Sequence, residues 1–253
     1  MKSISKLGYI FSGYLGIIAS VCSVLSIVIL AFQSLVSTVI ALCALVLFLT
    51  ILLIRILRLF EATLLKRYPQ GYSRQSTFVK YSTGDANHIK YEVYKHIQCK
   101  TLIMDKFTYG FKWSGSKKPT IESHMQRNAQ MYLSSKNGEY DGLSLNFISP
   151  LRYNECGVVH ILMNIDDTDH TSLTHLSAKV EENIDLIWMK VELRYKPIDY
   201  NKNAILYKKL LVSDLPQEYK KFDEVFFDTV SKSYEYHLKT PEPGYIYKLE
   251  WIR

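Results

Sequence analysis

Residues 7–54 read LGYIFSGYLGIIASVCSVLSIVILAFQSLVSTVIALCALVLFLTILLI, and this stretch decides the architecture of the chain. It holds no charged side chain, and it is about twice as long as the ~20 apolar residues that a helix needs to cross a bilayer. A polar cluster between Gln33 and Thr38 interrupts it once. We therefore predict a membrane hairpin of two transmembrane α-helices, Leu7–Ala31 and Val36–Ile54, joined by a very short turn.

Basic residues lie at only one side of the predicted hairpin. Lys2 and Lys6 precede the first span, and the turn carries no charge. The basic residues that follow the second span are Arg55, Arg58, Lys66, Arg67 and Arg74. Because basic residues favour the cytoplasmic side, we expect both termini and the downstream domain in the cytoplasm. The spans contain no Asp, Glu, Lys, Arg or His, which argues against a transporter or pump.

Small residues recur along one face of each predicted span, at steps of three and four. They are Ser12, Gly16, Ala19, Ser23 and Ser26 in the first span, and Ser37, Ala41 and Ala44 in the second. Such a packing seam lets a second helix backbone come close. It either holds the hairpin together or packs against other protomers, with the serines lining a polar path. Composition does not separate these two interpretations.

The sequence after the membrane divides into three segments. Residues 56–67 keep a helical period, so the second helix is predicted to continue to residue 67, where Pro69 and Gly71 stop it. Residues 68–87 are polar and indicate a linker or a loosely held first strand. We therefore divide the chain into a membrane unit (1–67), a linker (68–87) and a cytosolic β-rich sensor or interaction domain (88–253).

From His88 onwards the apolar residues recur with a period of two, and β-branched and aromatic residues are frequent. The predicted strands are 88–97, 101–113, 143–148, 158–165, 184–195, 204–212, 225–230, 234–239 and 244–252. Residues 121–133 and 218–225 are predicted as helical interruptions. This order favours an all-β, antiparallel sandwich or barrel, and the period alone does not decide between the two.

Charge and cysteine usage exclude some function classes. The net charge is +7, but four of the 31 basic residues and none of the 24 acidic ones lie within the first 58 residues. This membrane-proximal basicity weakens an argument for nucleic-acid binding from charge alone. The four cysteines form no CxxC pair, which argues against a disulfide framework or a zinc site and suits a reducing cytoplasm.

The densest acidic cluster follows a predicted strand. Asp166, Asp167, Asp169 and His170 indicate a solvated turn or, alternatively, a site for a metal ion with oxygen ligands. The chain has no HExxH, GxSxG, Walker A or GxGxxG motif. We therefore expect no catalytic residue, no cofactor and no resident metal, and we do not expect an enzyme.

One basic and aromatic segment has the parts of a ligand site. A stacking ring, small loop residues and lysines are the groups that bind a phosphate and stack a base. The candidate ligand-binding residues are Lys112, Trp113, Lys117, Lys118 and Arg152. The alternative is a solvated hairpin turn beside a core tryptophan.

The whole layout resembles the small two-transmembrane effectors of bacterial antiphage systems. One such group is the two-transmembrane β-strand-rich effectors of cyclic-oligonucleotide signalling, and another is the membrane effectors encoded beside retron reverse transcriptases. The nearest sequence feature is Leu143–Ile165, LSLNFISPLRYNECGVVHILMNI. Its order of strand, Pro-Leu, turn and strand looks like that of defence-associated β domains.

The resemblance implies an antiviral effector of the bacterial inner membrane. Such a protein stays quiet until a cytosolic infection signal arrives or a partner releases it. It then forms homo-oligomers and disrupts the lipid bilayer, which causes abortive infection. The implied trigger is a cyclic oligonucleotide or a reverse transcriptase–DNA/RNA complex. The alternative is a membrane-anchored scaffold whose β domain recruits a partner without membrane damage.

Overall fold

The computed structural model describes residues 16, 19–24, 26, 27, 35–132, 141–211 and 218–253. The chain divides into two compact units, Met1–Thr63 and Leu64–Arg253. The first is helical where it is described, and the regular structure of the second is mainly β-strand.

A single long helix, α1, extends over the 33 residues Leu35–Arg67. No glycine or proline interrupts this segment, and its leucine and isoleucine residues are compatible with an unbroken helix. At 1.5 Å per residue, α1 is about 50 Å long, which exceeds the ~30 Å of a bilayer core. The predicted continuation of the helix to residue 67 is confirmed.

The predicted two-helix membrane hairpin is wrong. Among the described residues, only Thr38–Arg67 is long and apolar enough to cross a membrane, with a mean hydropathy of 2.9 in its most apolar part. The described residues between Gly16 and Ile27 are helical but do not make a second span. Hydropathy measured the apolar character of residues 7–54 correctly, but it does not determine how many spans such a run forms.

Thirteen strands form the second unit. They are β1 (Tyr72–Thr83), β2 (His88–Cys99), β3 (Ile103–Phe111), β4 (Thr120–Glu122), β5 (Arg127–Tyr132), β6 (Asp141–Arg152), β7 (Cys156–Asp166), β8 (His175–Val180), β9 (Leu186–Leu193), β10 (Ala204–Leu210), β11 (Lys220–Val225), β12 (Ser233–Lys239) and β13 (Tyr245–Glu250).

The strands form three sheets rather than one closed barrel. A six-stranded sheet has the order β12-β9-β1-β2-β7-β4, a four-stranded sheet the order β11-β10-β13-β8, and a three-stranded sheet the order β3-β6-β5. Strands β1 and β9 pair in parallel, with Ser76 opposite Leu186 and Thr83 opposite Leu193. The prediction of a purely antiparallel domain is therefore also wrong at this central pair.

Three segments that were predicted as linker or helix form strands, whereas the predicted strand 225–230 belongs to a strand only at Val225. Strand β1 occupies most of the predicted linker 68–87, so the first-strand alternative describes it better. The predicted helix 121–133 contains the end of β4 and the whole of β5. The predicted helix 218–225 contains β11. In each case pairing with a distant strand prevails over local preference.

The core lies against one face of the six-stranded sheet. Val79, Val93, Ile161 and Met189 occupy neighbouring positions across β1, β2, β7 and β9, and each is at most 3% exposed. Because successive side chains of a strand alternate between the two faces, the intervening residues of these strands lie on the opposite, outer face.

A candidate ligand-binding cleft

A cleft of about 1030 Å³ opens within the β unit. Its floor is the inner face of β1, β2 and β7, and its walls are β3 of the three-stranded sheet and β8 of the four-stranded sheet. A volume of this size exceeds what a single water or ion needs and is large enough for a drug-sized ligand.

The most unusual group in the cleft is the amine of Lys95. Its side chain occupies an inward position of β2, and the residue is only 9% exposed. The amine lies over two rings, 4.3 Å from the ring centre of Tyr109 and 5.6 Å from that of Phe107. These cation–π contacts partly compensate the buried charge, but they supply no hydrogen-bond acceptor.

Burial and, to a smaller extent, the positive charge of Arg74 together lower the pKa of Lys95 from 10.5 to about 7. The carboxylates of Glu181 and Glu182 oppose this shift. The amine is therefore close to half protonated at neutral pH. A negatively charged ligand beside it would restore full protonation, since an opposite charge favours the ammonium form.

Two further polar atoms without hydrogen-bond partners lie next to Lys95. Thr77 is the direct cross-strand neighbour of Lys95, and its buried Oγ1 has no partner among the described residues. The buried Nε of Arg74 also makes no hydrogen bond, although Glu182 Oε1 lies 4.0 Å away. Buried polar groups without hydrogen-bond partners are costly, and these two atoms together with the amine of Lys95 present three donors to an anion in one corner.

Aromatic side chains line the rest of the cleft. They include Tyr72, Tyr81, Tyr91, Phe107 and Tyr109. Burial raises the pKa of Tyr72 to about 12 and that of Tyr91 well above its usual value. These phenols therefore stay protonated at neutral pH. They offer a ligand ring surfaces to pack against and hydroxyl groups that donate hydrogen bonds.

The predicted basic and aromatic patch divides between the cleft and the surface. Lys112 and Trp113 line the cleft, and Trp113 Nε1 donates a hydrogen bond to the backbone oxygen of Lys117 at 2.6 Å. Lys118 and Arg152 are exposed and do not line the cleft. The patch thus supplies one wall of the cleft rather than a separate site.

The acidic residues after β7 hold the loop that contains this patch. Lys117 Nζ donates to Asp166 Oδ2 at 2.7 Å, and Ser116 Oγ donates to Asp169. The hydrogen bond from Lys117 lowers the pKa of Asp166 to about 2. The carboxylates therefore fasten two loops together.

Asp167 is the buried member of the acidic cluster, and it is 1% exposed. Arg253 and Ser172 both donate hydrogen bonds to its carboxylate. Asp167 therefore fixes the C-terminal residue against the end of β7. Among the described residues, no group of three His, Cys, Asp or Glu side chains is arranged to hold a metal ion.

The predicted membrane seam is only partly described. Ser12 and the side chain of Ser37 lie outside the described part of the chain. A Cβ atom added to Gly16 would meet no described residue within 4 Å. In α1, Ala41 is 7% exposed whereas Ala44 is exposed.

The two seam serines whose side chains the structure describes, Ser23 and Ser26, form hydrogen bonds within their own helix. Ser23 Oγ donates to the backbone oxygen of Ala19 at 2.9 Å, and Ser26 Oγ donates to that of Cys22 at 2.8 Å. Such bonds to the preceding helical turn are common for serine. These hydroxyl groups therefore need no polar path to be satisfied.

Sequence reasoning missed Lys95, Thr77 and Arg74. The signal for Lys95 was present, because Ile89, Tyr91, Val93 and Ile97 occupy the inward positions of β2 and Lys95 interrupts their series. A lysine at an inward position is rarely buried without a role. Thr77 and Arg74 gave no such signal, because β1 itself was not firmly predicted.

Comparison with known proteins gives no family. No protein-family model matches the chain, and no curated protein sequence matches it. It is similar to an M1 zinc metallopeptidase from Deinococcus radiodurans, with 7% identity over 72% of this chain and 42% of that one, at a TM-score of 0.39.

Two further solved structures are similar at the same distant level. Yeast LTA4 hydrolase has 12% identity, a TM-score of 0.38, and coverage of 71% of this chain and 29% of that one. Baculovirus P35 has 9% identity, a TM-score of 0.32, and coverage of 74% and 99%. This chain thus spans less than half of either hydrolase.

Proposed function

We propose that this protein is a membrane-anchored antiviral effector of the bacterial inner membrane that a ligand in the cleft controls. The observation that supports this proposal most is the buried amine of Lys95, beside which Thr77 Oγ1 and Arg74 Nε have no hydrogen-bond partner. Leaving such buried groups without hydrogen bonds costs free energy. A ligand that satisfies them would therefore change the stability of this region.

The polar corner and the aromatic side chains of the cleft together indicate the class of ligand. The corner with Lys95, Thr77 and Arg74 offers donors to an anion, and phosphate oxygens accept such hydrogen bonds strongly. The tyrosines and Trp113 offer flat apolar surfaces, on which nucleobases stack. A phosphate and a base occur together in a nucleotide. We therefore assign the cleft to a nucleotide signal of the cyclic-oligonucleotide class.

In this proposal the protein acts on the membrane through α1. A single apolar helix encloses no pore, so damage to the bilayer requires several copies of the chain. In this proposal, ligand binding to the cytoplasmic β unit promotes assembly of such copies. The protein acts by binding rather than by catalysis, and membrane disruption causes abortive infection.

Calorimetry with the full chain in detergent tests the ligand. Cyclic di- and trinucleotides are titrated into the wild type, into Lys95→Met, and into the control Lys90→Met. Lys90 is exposed on the same strand. A hydrogen bond to a charged group contributes about 1.5–3 kcal/mol, so Lys95→Met should weaken binding by roughly 10- to 150-fold. Binding of none of these nucleotides, or equal binding by both variants, would contradict the assignment.

A second experiment separates the effector from a passive scaffold. Residues 38–67 are replaced by an unrelated membrane-spanning helix of the same length, so that the β unit remains anchored. A potential-sensitive dye then reports on the membrane of cells that make the nucleotide signal. The effector should depolarise the membrane only with its own helix. If the exchange leaves antiviral protection intact, the protein is a scaffold.

A further inference from the structure

A row of stacked rings crosses the outer face of the six-stranded sheet. It has one ring from each of five strands, and a sixth ring follows β4. In order across the sheet, the members are His237 (β12), Trp188 (β9), Phe78 (β1), Tyr94 (β2), His160 (β7) and His124. We call this set the ring row. Successive ring centres are 5.1, 4.2, 5.9, 4.5 and 5.2 Å apart.

The rings stand on edge and pack against one another. Successive planes differ by only 19° to 36°, and their spacing follows the ~4.8 Å between neighbouring strands. Their faces are therefore covered by their neighbours, and their edges point outward. A nucleobase stacks on a free ring face, so this arrangement favours a protein surface over nucleic acid.

Two rows of side chains lie beside the ring row on the same outer face. One row consists of Lys239, Leu186, Ser76, His96 and Val158. The other consists of Glu235, Lys190, Lys80, Glu92 and Leu162. Each row is given in the strand order β12, β9, β1, β2, β7. Lys239 and His96 are exposed, and the Glu235 side chain is 38% exposed.

We propose that this outer face binds the same face of a second copy of the chain, with a two-fold axis along the ring row. Such an axis places each strand opposite its own copy and exchanges the two flanking rows. Lys239 then faces Glu235 of the second copy, and His96 faces Glu92. At β7, His160 and Leu162 are buried within the chain itself, at 1% and 7% exposure, so the contacts of the dimer lie on β12, β9, β1 and β2.

The charges favour this axis over an axis parallel to the strands. An axis between β9 and β1 would place Glu235 opposite Glu92 of the second copy and Lys190 opposite Lys80. Like charges at these positions repel. The face is therefore complementary to itself in one symmetric arrangement and repulsive in the other. A dimer with the ring row on its axis brings opposite charges together at β12, where Lys239 faces Glu235, and at β2, where His96 faces Glu92.

The size of the face predicts a weak dimer. The four strands β12, β9, β1 and β2 and three rows cover about 19 Å by about 20 Å, so the two copies bury about 800 Å² in total, which is the size of a weak, transient contact. The cleft lies on the opposite face of the same sheet, so this dimer is independent of the ligand proposed above.

A charge exchange at one contact tests the dimer. Full-length chains with two different fluorescent tags are mixed in detergent, and energy transfer between the tags reports self-association. Glu235→Lys places lysine against lysine at both copies of the contact, and Lys239→Glu places glutamate against glutamate. Each single variant should associate with itself at least tenfold more weakly than the wild type.

A mixture of the two variants is the decisive arm. In a mixed dimer, the lysine that replaces Glu235 in one copy faces the glutamate that replaces Lys239 in the other. At the second contact the native Lys239 and Glu235 still face each other, so association should return to within about threefold of the wild type. Unchanged self-association of either single variant, or no recovery in the mixture, would overturn the proposal. A thermal unfolding transition for each variant confirms that it is folded.

The variants Glu92→Lys and His96→Glu provide a second pair, to which the same mixing experiment applies.

Discussion

Replacing Lys95 by methionine should make the protein more stable while it weakens ligand binding. Methionine keeps a long, flexible side chain and has no charge to bury. In the wild type, the amine lies in the cleft with its pKa lowered from 10.5 to about 7. This shift means that burying the protonated amine costs free energy, which the variant would regain.

The cost follows from the difference in pKa between the folded and unfolded chains. Each pKa unit corresponds to about 1.36 kcal/mol, so the full cost is about 5 kcal/mol below the folded pKa of Lys95. Between about pH 7 and pH 10.5, the unfolded chain keeps a proton that the folded chain releases. The wild type therefore gains stability as the pH rises, and the cost falls from about 4 kcal/mol at pH 7 to about 1 kcal/mol at pH 10.

Thermal unfolding of the β unit, followed by circular dichroism at pH 7 and pH 10, measures this difference. Because 1 kcal/mol corresponds to about 2–4 °C for a domain of this size, Lys95→Met should raise the Tm by about 10 °C at pH 7 and by about 3 °C at pH 10. The exposed control Lys90→Met should change stability by less than about 0.5 kcal/mol. A variant that melts at or below the wild-type temperature at pH 7, or with the same difference at both pH values, would refute the reasoning.

Three substitutions of residues that do not themselves line the cleft test the fold, each by urea unfolding followed by tryptophan fluorescence. Arg253→Met leaves the buried Asp167 carboxylate without its ion-pair partner, which should cost about 3 kcal/mol; a loss below about 1 kcal/mol would contradict this. Gly71→Ala should cost about 1–2 kcal/mol, because Gly71 has a φ of 77° and a Cβ there would lie 2.9 Å from Thr101 Cγ2. Tyr234→Phe removes a 2.6 Å hydrogen bond to a backbone oxygen and should cost about 1 kcal/mol; no measurable change would show that this bond contributes nothing.

The sequence predicted those strands that alternate clearly between apolar and polar residues. Strand β2 is an example, because Ile89, Val93 and Ile97 are buried and the residues between them are more exposed. Strand β1 was ambiguous, because its inward positions include Thr77 and Thr83. Threonine is usually a surface residue, but both side chains are only 4% exposed in the structure. Local pattern fails where a buried position holds a polar side chain.

Other features depend on residues that are far apart along the chain. The parallel pairing of β1 with β9 has no local signal, because it is decided by the core that both strands cover. The candidate site follows the same rule, since Lys95 meets Tyr109 only through the packing of two sheets. The number of membrane spans was also not determined by composition, although the apolar character of α1 was evident.

The parallel pair β1–β9 also constrains the order in which the chain can fold. During synthesis, α1 leaves the ribosome before any strand, and β1 then forms a hairpin with β2 because the two are adjacent in sequence. The other edge of β1 stays unpaired until β9 has been synthesised, because Ser76 pairs with Leu186. At about 5–20 residues per second, this delay lasts roughly 5–20 s. For that time β1 presents an open edge, which is where a chaperone or a neighbouring nascent chain would bind.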